Sequence, residues 1–248
     1  MRDNPMKFKN MSNDRGFTLI ELMVALAVGA IVTAVIYMAF TFQQQTWVTQ
    51  DQLAAMQQGL RMSLRFIAKE VMIAGYDPTM SGNAGIILNT GDSNSTDNDS
   101  IEFTMDLGTD TSTAIGASDG DVDDPGEHIK YYLNGQGQLC RAEVHPTSPI
   151  ICDVVAEDID RLAFYYILED GTIKEAITAG DEGLVRFVRV VIVARTEGII
   201  TQYTTQQNFV LIDQVDPTAG QFLRSVSYND NRRRLLLSMN VQCRNQGI

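Results

Sequence analysis

The sequence is short of the residues from which metal centres and disulfide frameworks are built. Its 248 residues include two histidines and three cysteines, too few for a histidine-rich metal enzyme or a multi-bridged scaffold. Positive charge is also scarce. Nineteen lysines and arginines stand against 31 aspartates and glutamates, a net charge of −12, whereas a nucleic-acid-binding surface normally needs a basic footprint. No nucleic-acid partner is therefore expected, and no cofactor. Proline is absent between Pro5 and Pro78, so nothing in that interval forces a helix to break. Apolar residues still make up 44% of the chain, which excludes disorder throughout, and they are unevenly spread.

Residues 17–42 hold a single charge, Glu21, and no proline. As a helix they would span roughly 39 Å, enough to cross a hydrocarbon core of about 30 Å. A cleaved secretory signal has an apolar core of about 7–15 residues followed by a small-residue cleavage site. Here the run is longer, and Gly16 precedes it. Arg2, Lys7, Lys9 and Arg15 outnumber Asp3 and Asp14 before the run, and no positive charge follows it until Arg61. The positive-inside bias places the amino terminus in the cytoplasm and the rest of the chain across the membrane. Trp47 lies just past the span, where an indole suits the interface. Glu21 reads either as an interfacial carboxylate that snorkels or takes a proton, or as one awaiting a positive partner.

Beyond the span, Leu53, Met56, Leu60, Leu64, Ile67 and Val71 recur in steps of three and four, one apolar stripe on a helix. Gln52, Gln57, Arg61, Arg65 and Lys69 occupy other positions, and Gly75 with Asp77 and Pro78 is a stop signal. After Pro78 the period falls to two. Ile101, Phe103, Met105 and Leu107 alternate with Glu102, Thr104 and Asp106. Residues 129–133 run into Asn134 and Gly135, a hairpin signal. Residues 162–168 read as a strand turning at Asp170 and Gly171, and residues 184–194, apolar on both faces, as a central strand. Leu235, Leu237, Met239, Val241 and Cys243 alternate with polar residues at the end. The expected fold is α+β: a long amino-terminal helix packed on an antiparallel sheet.

Arg15, Gly16, Phe17, Thr18, Leu19, Ile20 and Glu21 in that order resemble the cleavage and methylation motif of type IV prepilins and type II secretion pseudopilins. The family has a basic leader ending in glycine, a phenylalanine after it, and a glutamate as fifth mature residue. The resemblance implies a pilin-like fold divided into a leader (residues 1–16), a transmembrane or filament-core helix (17–42), an amphipathic continuation (43–76) and a periplasmic β-rich domain (77–248). It implies cutting between Gly16 and Phe17 by prepilin peptidase, N-methylation of Phe17, and pairing of Glu21 with the amine of a neighbouring subunit during assembly. It implies an inner-membrane, single-pass subunit that enters a pilus, with other pilin and minor pilin subunits as partners and no catalysis of its own.

Two weaker likenesses refine this. Residues 65–71 with Ala74, Gly75 and Tyr76 are similar to the helix end of PilW-type minor pilins, and so is the stretch from Tyr228 through Arg232, Arg233 and Arg234 to Arg244 and Asn245. A J-type minor pseudopilin of type II secretion shares the plan, and a periplasmic enzyme or receptor held by a single helix is the alternative of another class. Many major pilins carry a proline in the apolar half of the helix; this chain does not. Loss of four basic and two acidic leader residues would take the net charge from −12 to −14.

The remaining motifs are weaker. Cys140 and Cys152 flank a proline-containing loop, and adjacent strands could join them as a disulfide in an oxidising periplasm; free buried thiols are the alternative. Their spacing with His145 matches no standard zinc site. Cys243 is left over and expected in the core. Asp119, Asp121 and Asp123 alternate as calcium ligands can, as do acids within residues 92–99, but neither loop is an EF-hand and solvated loops are the plainer reading. Residues 116–120 spell the G-x-S-x-G of hydrolases without the strand and helix that would make it an elbow. Arg232, Arg233 and Arg234 read as a solvated turn or as contacts to an acidic neighbour.

Overall fold

A computed structural model of the protein describes residues 16–87, 100–108, 119–145, 149–199, 205–216 and 220–245. The chain divides into two units, residues 1–49 and 50–248. In the first, the described residues after Thr18 are helical from Leu19, the start of α1 (Leu19–Ile73). Among its described residues the second contains the remainder of that helix and ten strands.

The expected stripe on α1 is the buried one. Leu60, Leu64, Ile67 and Val71 are enclosed, with Met56 partly so. The helix stops because the chain is led elsewhere. Gly75 adopts φ 77°, a conformation glycine takes without steric cost, and its N–H donates to Thr104 O at 2.9 Å. Asp106 N–H then donates to Tyr76 O at 2.7 Å, which stitches the helix exit to the end of β1 (Ser100–Thr104).

Two four-stranded antiparallel sheets follow. The first has the order β1, β2 (His128–Leu133), β3 (Leu139–Glu143), β4 (Asp153–Ala156). The second has the order β10 (Arg234–Gln242), β7 (Val185–Arg195), β5 (Ile159–Leu168), β6 (Ile173–Lys174). Ile101 and Phe103 from β1, Ile129 and Tyr131 from β2, Phe164 and Tyr166 from β5, and Val188, Val190 and Ile192 from β7 share one core with the helix stripe. Complete burial of one such side chain contributes about 1.5–3 kcal/mol. A polar tie crosses the same interface. Tyr131 OH donates to Glu70 Oε2 at 2.5 Å and Arg141 Nε to Glu70 Oε1 at 3.0 Å, so the helix carboxylate is satisfied by two strands.

A hairpin of β8 (Thr205–Asp216) and β9 (Gly220–Asp230) supplies a further layer. Leu211 and Ile212, with Phe209, Val226 and Tyr228, cover Ala163, Tyr165, Val191 and Val193 on the face of β5 and β7 away from the helix. This explains why β7 is apolar on both faces: it lies between β10 and β5, with a core on each side.

Several expectations need correction. The alternation through Leu107 ends as a strand at Thr104, because Thr104 N–H donates to Gly85 O and Asp106 N–H to Tyr76 O; Thr104 and Asp106 are buried and Leu107 is exposed. The turn after β2 is not a two-residue Asn-Gly turn. Asn134 Oδ1 accepts the N–H groups of Gln136 and Gln138 at 3.0 and 2.9 Å, and the positive φ falls at Gly137, 77°. A Cβ at Gly137 would lie 3.0 Å from Ile159 O, so this glycine also admits the start of β5. Met239 on β10 is exposed, whereas Val241 and Cys243 are buried.

Candidate assembly site on the amino-terminal helix

Gly16, Phe17 and Thr18 precede the helix and are exposed without regular structure. The helix begins with a reciprocal set of hydrogen bonds. Thr18 N–H donates to Glu21 Oε2 at 3.0 Å, Thr18 Oγ1 donates to the same oxygen at 2.9 Å, and Glu21 N–H donates to Thr18 Oγ1 at 3.3 Å. This is a capping box, in which threonine and the glutamate three residues on satisfy each other's otherwise unbonded donors. The carboxylate also sits at the positive end of the helix dipole. Of the two readings of Glu21, neither foresaw this: the carboxylate has a partner in its own first turn. The T-x-x-E spacing was the available signal.

Between residues 19 and 40 no described residue covers the helix. Every residue from 19 to 40 is exposed, including Leu22, Val28, Ile36 and Phe40. Three threonine hydroxyls on and just past this stretch are turned inward onto the backbone. Thr33 Oγ1 donates to Gly29 O at 2.8 Å, Thr41 Oγ1 to Met38 O at 2.9 Å and Thr46 Oγ1 to Phe42 O at 3.0 Å. Hydroxyls bonded in this way need no water, so the surface can sit in lipid or among other helices. The helix is long and apolar enough to cross a membrane by length and composition. Ile20, Glu21, Val24, Ala25, Val28 and Gly29 line a shallow groove beside the carboxylate, where the methyl of Ala25 and the bare backbone of Gly29 flatten the helix.

Residues 11–37 match the prokaryotic N-terminal methylation motif. The chain has a prepilin-type amino terminus. Prepilin motif and exposed apolar helix coincide: the matched residues contain Gly16, Phe17 and Glu21 and extend along the uncovered surface. No curated protein matches the chain. Among solved structures, a type IV-like pilin from Thermus thermophilus is similar, at 16% identity over 77% of this chain and 98% of that one, with a TM-score of 0.48.

The other sequence candidates lie elsewhere. Cys140 on β3 and Cys152 just before β4 are joined as a disulfide with Cα atoms 5.0 Å apart. Cys243 is free and buried, and burial pushes its thiol up to about 12. Asp119, Asp121 and Asp123 do not converge. Asp121 N–H donates to Asp119 Oδ1 and Asp123 N–H to Asp121 Oδ1, so carboxylates are used along their own loop; among the described residues no group of three acids, histidines or cysteines is placed to hold a metal. The leader before Gly16, the acidic stretch 92–99 and residues 116–118 of the G-x-S-x-G string lie outside the described residues.

The arginine run is neither a solvated turn nor an open contact surface. Arg234 is 4% exposed; its Nε donates to Asp160, and its two terminal nitrogens donate to Asp230 at 2.6 and 2.7 Å. Its guanidinium lies 3.9 Å from the centre of the Tyr228 ring. Arg232 donates through its backbone to Asp230 and Arg233 to Thr196 Oγ1. The run fastens the β9–β10 corner to β5 and β7.

Proposed function

We propose that the chain is a PilW-type minor subunit of a type IV pilus, assembled through its amino-terminal helix after prepilin peptidase removes residues 1–16. The observation that carries this reading is the coincidence of the methylation motif at residues 11–37 with a helix stretch, residues 19–40, whose apolar surface no described residue covers. The bond between Gly16 and Phe17 lies in exposed, non-helical chain, as a peptidase substrate requires. Cleavage would create an amine at Phe17, one turn before Glu21. A neighbour's amine would then take over the carboxylate that Thr18 holds in the single subunit. A charged pair at this place selects register, because a shifted subunit would strand both charges in an apolar bundle. The absence of a helix proline and a mature charge of −14 favour a minor over a major subunit. The membrane orientation follows from the basic flank at Arg2, Lys7, Lys9 and Arg15.

The test is the intact mass and amino-terminal sequence of the protein from membranes of cells with and without prepilin peptidase. The expected product begins at methylated Phe17 only when the peptidase is present. Full-length protein in both strains would overturn the reading and favour a tethered enzyme or receptor. Pilus incorporation then separates the roles of Glu21. Glu21→Ala should abolish it, whereas Thr18→Ala, which removes the cap and keeps the charge, should leave most of it. Equal loss in both variants, with cleavage intact, would reduce Glu21 to a local cap.

A further inference from the structure

On the strands, several bases are answered by acids of the same chain. Lys130, Lys174, Arg186, Arg195, Arg224 and Arg234 each lie within 3.2 Å of a carboxylate. The second half of α1 differs. Arg61, Arg65 and Lys69 are exposed, and among the described residues no carboxylate pairs with them. Residues 52–69 contain no acid, and Glu70, the next one, is held by Tyr131 and Arg141. Like charges four residues apart destabilise a helix, whereas an acid at that spacing supports it. The row therefore weakens the isolated subunit, in a protein with 31 acids to draw on.

Met62 and Phe66 stand beside the row, 61% and 47% exposed. At about 100° per residue, Arg61, Arg65 and Lys69 fall within about 80° of the helix circumference, and Met62 and Phe66 within about the next 60°. The five share one face, opposite the buried Leu60, Leu64, Ile67 and Val71. They form two ridges of four-residue step, one cationic and one apolar, with a groove between them. A second helix seats one of its own ridges in such a groove. The bases recur roughly every 6 Å along the axis, so carboxylates one turn apart on that helix would meet them in succession. The face suits neither a membrane nor nucleic acid. An interfacial helix needs a broad apolar face, and two large apolar side chains do not make one. A nucleic-acid strand needs a track of aromatic platforms, and the net charge of −12 repels it.

We infer that this face of α1 docks a helix of a partner protein, one with carboxylates at four-residue intervals beside a ridge of apolar side chains. A second copy of this chain does not meet that description. Among the described residues α1 is the only α-helix, and its acids, Glu21, Asp51 and Glu70, stand 19 or more positions apart. The contact uses another part of α1 than the assembly site, and it does not depend on cleavage after Gly16.

The test uses the full-length chain in detergent micelles. The probe is a fluorescein-labelled, alanine-based helical peptide with glutamate and leucine as neighbours at every fourth position, followed by fluorescence anisotropy. Saturable binding is expected, about tenfold tighter than that of a peptide of the same composition in scrambled order, since three exposed ion pairs each contribute a small factor. Replacing Arg61, Arg65 and Lys69 together by glutamine should weaken binding by about tenfold, and so should raised salt. Phe66→Ala should weaken it by about tenfold through lost apolar contact. All four positions are exposed and take good helix formers, so the urea midpoint should hold in both variants. No saturable binding, equal affinity for the scrambled peptide, or a triple variant that binds as well as the wild type would overturn the inference. Tighter binding of single-stranded oligothymidine, or displacement of the peptide by phosphatidylglycerol added to the micelles, in either case lost in the triple variant, would overturn it in favour of a phosphate group.

Discussion

Replacing Arg234 by methionine probes the corner where the last hairpin meets the second sheet. Arg234 and Asp160 are 4% and 9% exposed at their side chains, whereas Asp230 is 43% exposed. Methionine keeps most of the volume and removes the charge, so Asp160 is left as an enclosed carboxylate deprived of its strongest neighbour. Breaking a buried pair in this way costs about 3–5 kcal/mol. Asp230 keeps access to water, so its share is held to about 0–1 kcal/mol, and loss of the contact with Tyr228 adds roughly 0.5–1 kcal/mol. Arg195 also donates to Asp160 Oδ1 at 2.8 Å, which places the expected total near the low end, about 3 kcal/mol. For a urea slope of about 2 kcal/mol/M that is a midpoint shift of roughly 1.5 M, measured on the full chain in micelles by near-ultraviolet dichroism. Adding Asp160→Asn should recover part of the loss, since the charge left behind is then gone. The acid limb gives a second readout. Hydrogen bonds from Arg234 hold Asp230 down to about 2, below its unfolded value of about 3.9. Its contribution is therefore complete above about pH 4 and fades as pH falls through about 2, narrowing the gap between wild type and Arg234→Met. A loss below about 1 kcal/mol, or a double variant as unstable as the sum of its singles, would refute the reasoning.

Three further outcomes follow from the same structure. Substituting serine at both Cys140 and Cys152 should cost about 2–4 kcal/mol, seen as a lower urea midpoint that reducing agent no longer shifts; reductant sensitivity in the variant would contradict the assignment. Cys243, with its thiol pushed up to about 12 by burial, should resist iodoacetamide at pH 8 in the folded protein and react on unfolding. Ile67→Ala, at a fully enclosed position between helix and sheets, should cost about 2–5 kcal/mol by the same denaturation assay, whereas Met62→Ala, exposed on the same helix, should change stability by less than about 0.5 kcal/mol.

What could be read from the sequence depended on how far apart the cooperating residues were. The stripe Leu60, Leu64, Ile67 and Val71 repeats within one helix, and the double-sided apolar run of β7 lies within one strand, so periodicity alone revealed both. The order Gly16, Phe17 and Glu21 is equally local. Thr18 and Glu21 are local too, and their T-x-x-E spacing is the signal of a capping box. The hairpin of β8 and β9 was missed because Phe209, Val210, Leu211 and Ile212 form a contiguous apolar run whose partner face, on β5 and β7, lies at least 16 positions away in sequence. The arginine run was misread for a similar reason: Asp160 is 74 residues from Arg234, and nothing near either one announces the pair.

The covered second face of β5 and β7 has a consequence for biogenesis. A chain that emerges amino end first completes β7 at Arg195, yet Ala163, Tyr165, Val191 and Val193 stay bare until the hairpin ending at Asp230 arrives. At about 5–20 residues per second, those 35 residues leave a window of several seconds. During that interval a tethered nascent sheet offers a greasy face to any passing strand, so production of this protein should depend on a holding chaperone more than its finished stability suggests.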